Sequence, residues 1–219
     1  MRVVCLKWGR LYGPEYVDAL AGGLRRHGYT GAIECFTERP RGLPSDVEAR
    51  RLPEPTLPGW WGKLALFKPG LWPEGERILF LDLDTVILGP IDPIAAYAGP
   101  FAILRDFYFP TRLQSAVMAW PAGWGAHIWQ TFEEAGRPMD ERATDQGWIM
   151  RTERTSAVRL QDVFPGRFVS YKLDCQDGPP AGASVLCFHG KPRPHEATAA
   201  WVAREWRPQS LSRQEVSYG

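Results

Sequence analysis

The run Ile78-Leu79-Phe80-Leu81-Asp82-Leu83-Asp84-Thr85-Val86-Ile87-Leu88 limits what this chain can become more than any other segment. Its flanks are apolar enough to demand burial, and two carboxylates interrupt them. At a two-residue spacing on an extended strand, Asp82 and Asp84 point to one face and Leu83 to the other. Two ionised carboxylates side by side repel, and burying them costs several kcal/mol unless a cation or protons compensate. A hard divalent cation that also takes diphosphate oxygens answers that cost. The alternative is a strand end whose aspartates cap turns in solvent.

The surroundings of this run read as alternating strands and helices. Arg2 to Lys7 is β-branched and apolar, as a first strand requires. Pro14 suits the first turn of a helix, and Tyr16, Leu20 and Leu24 recur every fourth residue up to a stop at His27-Gly28. Ala32 to Phe36 is a second strand, so the opening is a parallel α/β unit. Residues 39 to 59, rich in Pro, Arg and Gly, read as a long loop, and Trp60 to Phe67 as a short helix. Strands are expected at Arg77 to Leu81, Val86 to Leu88, Phe101 to Leu104, Ala116 to Trp120, Phe168 to Tyr171 and Ser184 to Phe188. Ile128, Trp129 and Phe132 mark a helix, and Thr144 caps another.

Several function classes are disfavoured. With 26 basic and 25 acidic side chains the net charge is +1, which makes no case for a dedicated nucleic-acid binder. Cys5, Cys35, Cys175 and Cys187 form no CxxC pair, so neither a zinc site nor a disulfide framework is expected. The start has no long apolar stretch with a cleavage site, and no segment approaches the ~18 apolar residues that span a bilayer. A cytoplasmic protein is the expectation.

Two further segments carry chemistry. In Val185-Leu186-Cys187-Phe188-His189-Gly190-Lys191-Pro192, a histidine directly follows a buried strand, with a glycine and a lysine after it. Imidazole can supply a third metal ligand, and the lysine a charge for phosphate oxygens. The other reading is a strand-end histidine hydrogen-bonded to backbone. In Thr144-Asp145-Gln146-Gly147-Trp148, an acid and an amide open a helix and can hold sugar hydroxyls. Equally, Asp145 can serve only the helix dipole.

Taken together and in this order, the three segments resemble the retaining glycosyltransferases of family 8, the glycogenin and lipopolysaccharide-galactosyltransferase group. ILFLDLDTVIL resembles the metal-binding DxD strand of that family, TDQGW its DQ, and FHGKP its late H-G-KP motif with a shorter interval from His to Lys. The opening LKWGRLYGPEYV and Trp61-Gly62-Lys63-Leu64 also look like related phage and bacterial members. The resemblance covers roughly residues 1 to 195. It implies that Asp82, Asp84 and His189 hold Mn²⁺, with Mg²⁺ as the alternative ion. It places Tyr12, Lys63, Asp82, Asp106, Gln114, Ser115 and Lys191 on a nucleotide-sugar donor, UDP-linked in the first instance. Asp145 and Gln146 then fall at the catalytic position, Gln146 on the β face of the anomeric carbon. The acidic residue usual before the tyrosine is missing, and Gln114-Ser115 stands in place of an Asn-small pair.

The expectation is therefore α/β: a single GT-A-like, Rossmann-like domain over residues 1–219 with a mixed, mostly parallel sheet and helices on both faces. A helical tail would run from about residue 195. Its function would be metal-dependent sugar transfer with retention, by front-face attack of the acceptor, since no Asp or Glu is an evident nucleophile. The acceptor would be a glycan or lipopolysaccharide, or a modified DNA base. The last of these would use Arg105, Arg112 and the segment from Trp201 to Arg207, unless that tail is an amphipathic helix with its tryptophans on the core. Two alternatives stand beside this reading. A haloacid dehalogenase-type phosphohydrolase would also use a DxD strand, but its late acidic pair could only be Asp174 and Asp177. A non-catalytic sugar-binding module would keep the fold without turnover, and ten tryptophans suit sugar stacking in either case.

Overall fold

The computed structural model describes residues 1–139 and 144–208. Its main sheet has seven strands: β1 (Arg2–Lys7), β2 (Ile33–Thr37), β3 (Glu48–Arg50), β4 (Arg77–Leu81), β6 (Ala102–Arg105), β7 (Leu113–Pro121) and β8 (Val158–Arg159). They lie in the order β3-β2-β1-β4-β7-β6-β8. All pairs are parallel except β4–β7 and β7–β6, so the sheet is mixed and mostly parallel. A second sheet of three strands, β5 (Thr85–Ile87), β10 (Val185–Cys187) and β9 (Phe168–Ser170), is built in the order β5-β10-β9.

Helices cover both faces of the large sheet. Helix α1 (Pro14–Arg26) begins on its proline and buries Tyr16, Val17, Leu20 and Leu24 against Val3, Cys5, Leu79 and Leu81. Gly23 lets α1 approach β5 closely, since a β-carbon there would stand 3.0 Å from Ile87. On the opposite face a 3₁₀ helix (Gly59–Phe67) and the helices α3 (Ala126–Glu134) and α4 (Asp145–Glu153) enclose Val4, Phe80, Met118 and Trp120. Single-turn helices α2 (Asp92–Ala95), α5 (Leu160–Val163) and α6 (Tyr171–Asp174) serve as connectors.

The structure departs from the sequence reading at two places, and at a third it decides between two readings. The loop expected over residues 39 to 59 contains the edge strand β3, whose polar Glu48-Ala49-Arg50 gives no apolar alternation. The strand expected to carry Asp82 and Asp84 ends at Leu81. The two residues lie in a tight turn, where Thr85 N and Oγ1 both donate to Asp82 O at 3.0 and 2.7 Å. The apolar run was continuous because β4 and β5 are both buried, although they belong to different sheets. Finally, the tail is helical over Ala200–Glu205 (α7), and its tryptophans turn inward: Trp206 packs edge-on against Tyr16, and Trp201 lies against Tyr171. The amphipathic reading of the tail therefore holds for the described residues. Among these residues no helix is long and apolar enough to cross a membrane.

Candidate active site

The carboxyl ends of β1, β4 and β10 meet beside the Asp82–Asp84 turn, the edge at which open α/β sheets bind ligands. Four polar side chains converge there from four separate elements. Lys63, from the 3₁₀ helix, donates through Nζ to Asp82 Oδ2 at 2.7 Å and to Ser115 Oγ at 3.3 Å, and lies 3.5 Å from Asp145 Oδ2. Ser115 Oγ donates to Asp145 Oδ2 at 2.7 Å, and Ser115 N to Gln146 Oε1 at 3.3 Å. Asp145 and Gln146 open α4, which Thr144 caps by accepting from Gly147 N at 3.0 Å.

A bulge delivers Ser115. Strand β7 pairs Met118 with Ile103 and then Gln114 with Leu104, so its residues between them have no partners on β6. The bulge turns Ser115 toward Lys63 and leaves Gln114 buried with Oε1 unpaired. A buried amide oxygen without a donor is a place for a ligand hydroxyl.

Asp84 is held from the other side. Tyr12 OH donates to Asp84 Oδ2 at 3.1 Å, and the Arg193 guanidinium lies 5.5 Å over the Tyr12 ring. Arg193 also acts electrostatically on Asp84. Sequence reasoning passed over this arginine in favour of Lys191, which the structure leaves exposed. The only available signal was a cation two residues further on between prolines.

His189 arrives at this edge because Phe188 N donates to Asp84 O at 3.3 Å, next to the pairing of Cys187 with Thr85. Gly190 follows with φ +79°, which turns the chain back sharply. The imidazole itself lies elsewhere. Its Nε2 is 2.6 Å from Ser170 Oγ, and its ring stacks on Phe107 and meets Tyr108 edge-on. Burial, then the nearby Lys172 ammonium, holds its pKa below the usual range. Asp106 caps its own loop, with Oδ1 accepting from Tyr108 N and Phe109 N at 2.8 and 2.9 Å. The structure thus gathers Tyr12, Lys63, Asp82, Asp84, Ser115, Asp145 and Gln146, with Gln114 alongside. It sets His189 and Asp106 on a neighbouring aromatic loop.

The carboxylate pair fits a divalent cation in its chemistry. Each gives one oxygen, Oδ2, to a protein donor and keeps Oδ1. Burial pushes Asp82 up to about 7, against the pull of Lys63, and raises Asp84 as well. Asp82 nevertheless keeps 26% of its side chain open. No group of three His, Cys, Asp or Glu side chains is arranged as a metal cage among the described residues, and the nitrogen that His189 has left is Nδ1. A pH dependence follows. Because the folded pKa of Asp82 lies above the ~3.9 of an unfolded aspartate, the native state binds extra proton between roughly pH 4 and 7. Stability without a cation therefore falls as pH rises through that window. If a divalent cation takes the place of that proton above it, the rise in Tm induced by Mn²⁺ should be larger at pH 8 than at pH 5. Equal rises at both values would separate the ion from this pair.

Comparison with known proteins agrees on the fold. No protein-family model matches the sequence, and no curated protein matches it significantly. Solved structures do match. The galactosyltransferase LgtC, in complex with donor and acceptor sugar analogs, aligns over 99% of this chain and 96% of its own with a TM-score of 0.65 at 10% identity. The glycosyltransferase GlyE of Streptococcus pneumoniae TIGR4 aligns over 99% of this chain with a TM-score of 0.69 at 13% identity, and this chain spans 63% of it. The bifunctional glycosyltransferase WbbM aligns over 93% of this chain and 50% of its own, with a TM-score of 0.62 at 11% identity.

Proposed function

With a fold shared with GT-A glycosyltransferases as the premise, we propose that this chain transfers a sugar from a nucleotide-sugar donor to a hydroxyl of a glycan acceptor, with retention at the anomeric carbon. The observation that carries this reading is the buried Lys63–Asp82–Asp145–Ser115 network at the carboxyl edge of the sheet. Such an arrangement fixes one carboxylate beside another at a place where a diphosphate and its sugar can lie.

In this reading Asp82 and Asp84 would hold the metal, and His189, whose ring rests on Ser170 and Phe107 here, would have to turn toward them to join the set. Bound there, Mn²⁺, or Mg²⁺ in its place, supplies positive charge against the leaving diphosphate. The other roles belong to the chain. Lys63 and Tyr12 lock the orientation of the two aspartates. Arg193 adds a guanidinium near Asp84 for phosphate oxygens, and Lys191 lies exposed in the same loop. Gln114 Oε1 accepts from a donor-sugar hydroxyl, and Asp106 keeps Oδ2 for another. Asp145 has one oxygen committed to Ser115 and Lys63, so it positions those groups and does not attack carbon. Gln146 accepts from Ser115 N and keeps its amide N–H groups for the sugar. The acceptor oxygen then attacks the anomeric carbon from the side of the departing diphosphate. The carbon–oxygen bond to phosphate breaks, its electron pair stays on the phosphate oxygen, and that oxygen takes the acceptor's proton.

The inward packing of Trp201 and Trp206 removes the aromatic surface that a DNA acceptor would have used. A screen of nucleotide sugars, read as release of free nucleoside diphosphate with and without EDTA, tests the reading. Metal-dependent release from at least one donor is expected. Release of inorganic phosphate from simple esters, or no release with any donor, would refute it. The Gln114 assignment has its own readout: Gln114→Leu should weaken binding of a nucleotide sugar about tenfold and leave the free nucleoside diphosphate unaffected. Equal effects on both ligands would show that the amide does not face the sugar.

A further inference from the structure

Strand β9 ends on Ser170, which is fully buried and in register with Cys187 of β10. Its hydroxyl is engaged twice. It accepts from Leu173 N at 3.3 Å, capping the single turn α6, and it lies 2.6 Å from His189 Nε2. A serine hydroxyl has one hydrogen to give, and among the described residues no other acceptor takes it. Leaving that hydrogen unpaired in a buried place is costly, so Ser170 donates and Nε2 accepts. The imidazole is then the neutral tautomer with its hydrogen on Nδ1, and its one ring lone pair on Nε2 is aimed at Ser170.

The rest of His189 is held separately. Lys172, also from α6, donates through Nζ to His189 O at 2.8 Å, and Phe188 N donates to Asp84 O at 3.3 Å. The main chain is thus fixed on both sides of the residue, and what can turn is the ring. Besides Ser170, the ring touches the loop that begins at Asp106: it stacks on Phe107 with centroids 5.7 Å apart and meets Tyr108 edge-on at 5.1 Å.

We infer that Ser170 is a positioning residue that competes with the metal for the lone pair of His189, and so sets how tightly the ion is held. This rests on the metal reading above. A metal bond needs the lone pair of a neutral imidazole, and Nε2 cannot offer one pair to both partners. Bonding through Nδ1 does not avoid the conflict. It moves the ring hydrogen onto Nε2, where it faces the hydrogen of Ser170, so the same bond is lost. The competition also reaches the donor side. When the ring turns toward Asp84, Phe107 and Tyr108 lose their contact with it, so completing the metal's ligands loosens the loop that carries Asp106.

Calorimetric titration with Mn²⁺ tests this on wild type, Ser170→Ala, His189→Ala and the double variant. Ser170→Ala should bind Mn²⁺ about 3–10-fold tighter than wild type, the worth of one hydrogen bond no longer surrendered. In the His189→Ala background the same change should have no effect, a pattern that a merely structural serine does not produce. Unchanged or weaker binding in Ser170→Ala overturns the inference, and weaker binding would mean that Ser170 instead orients the imidazole toward the ion. A gain that persists without His189 overturns it too. Nitrogen NMR of the imidazole rings in EDTA-treated wild type at pH 8 decides the matter should Ser170→Ala fail to fold. The His189 signal, assigned by its loss in His189→Ala, should show the hydrogen on Nδ1. A hydrogen on Nε2 sinks the competition. Wild type that binds no Mn²⁺ sinks the metal reading itself, whereas Mn²⁺ binding that ignores Ser170 sinks only this inference.

Discussion

Asp84→Asn should lower metal-dependent transfer by roughly a thousandfold while leaving the fold intact, and Asp82→Asn should do the same. A Lewis-acidic cation contributes several kcal/mol to charge stabilisation, and each 1.36 kcal/mol is about tenfold in rate. The amide keeps the shape of the carboxylate but removes the charge that attracts the ion. The two variants differ in their side effects. Asp84 loses only the hydrogen bond from Tyr12, whereas Asp82 also leaves Lys63 with Asp145 as its remaining carboxylate. Burial raises both aspartates, so neutralising either one relieves strain in the fold. Circular dichroism and Tm should therefore be near wild type in Asp84→Asn. Wild-type turnover in either variant would remove the pair from the metal site.

Lys63→Met should be the most destabilising single change in the site. Lys63 is 9% exposed and Asp145 5%, and the lysine is the cation that Asp82 and Asp145 share. Burial alone would lower the lysine's pKa, but Asp145 and Asp82 outweigh it and raise the pKa, so the cation is firmly held. Removing one partner of a buried pair typically costs about 3–5 kcal/mol, because the other charge stays behind without compensation. In a chain of this size that is a fall in Tm of roughly 6–20 °C. The double variant Lys63→Met/Asp145→Asn should recover part of the loss, since it removes one stranded charge. A double variant no more stable than the single one would show that loss of the ammonium's contact with the Phe80 ring, and not the stranded carboxylate, sets the cost.

Much of this arrangement could be read from the residues because local signals and tertiary demands agree there. Strand β1, helix α1 with its proline start, strand β4 and the Thr144 cap all lie within a residue or two of where periodicity and capping chemistry put them. The features that were hidden depend on partners distant in sequence. Nothing in Thr85-Val86-Ile87 says that it leaves the sheet of β4, because a strand buried in either sheet is equally apolar. Edge strand β3 is held by Arg50 on the buried Glu34 and by backbone pairing with β2, neither of which alters its own polar sequence. Besides Lys63, the cation that acts on Asp84 is Arg193, which reaches it by the way the chain turns after Gly190.

The turn that carries Asp82 and Asp84 joins two sheets, and this sets an order of assembly. Strand β4 finds β1 early, since both are present once the chain has reached Leu81. Strand β5, immediately after the turn, must wait for Val185–Cys187, roughly a hundred residues later. Closing so long a loop is entropically slow, and contacts of this separation form after the local ones. The large sheet can therefore stand in a nascent chain while the aspartates still end on an unpaired strand. A chain that ended before residue 185 would hold the strands of the large sheet while β5 and the Asp82–Asp84 turn still lacked their β10 partner.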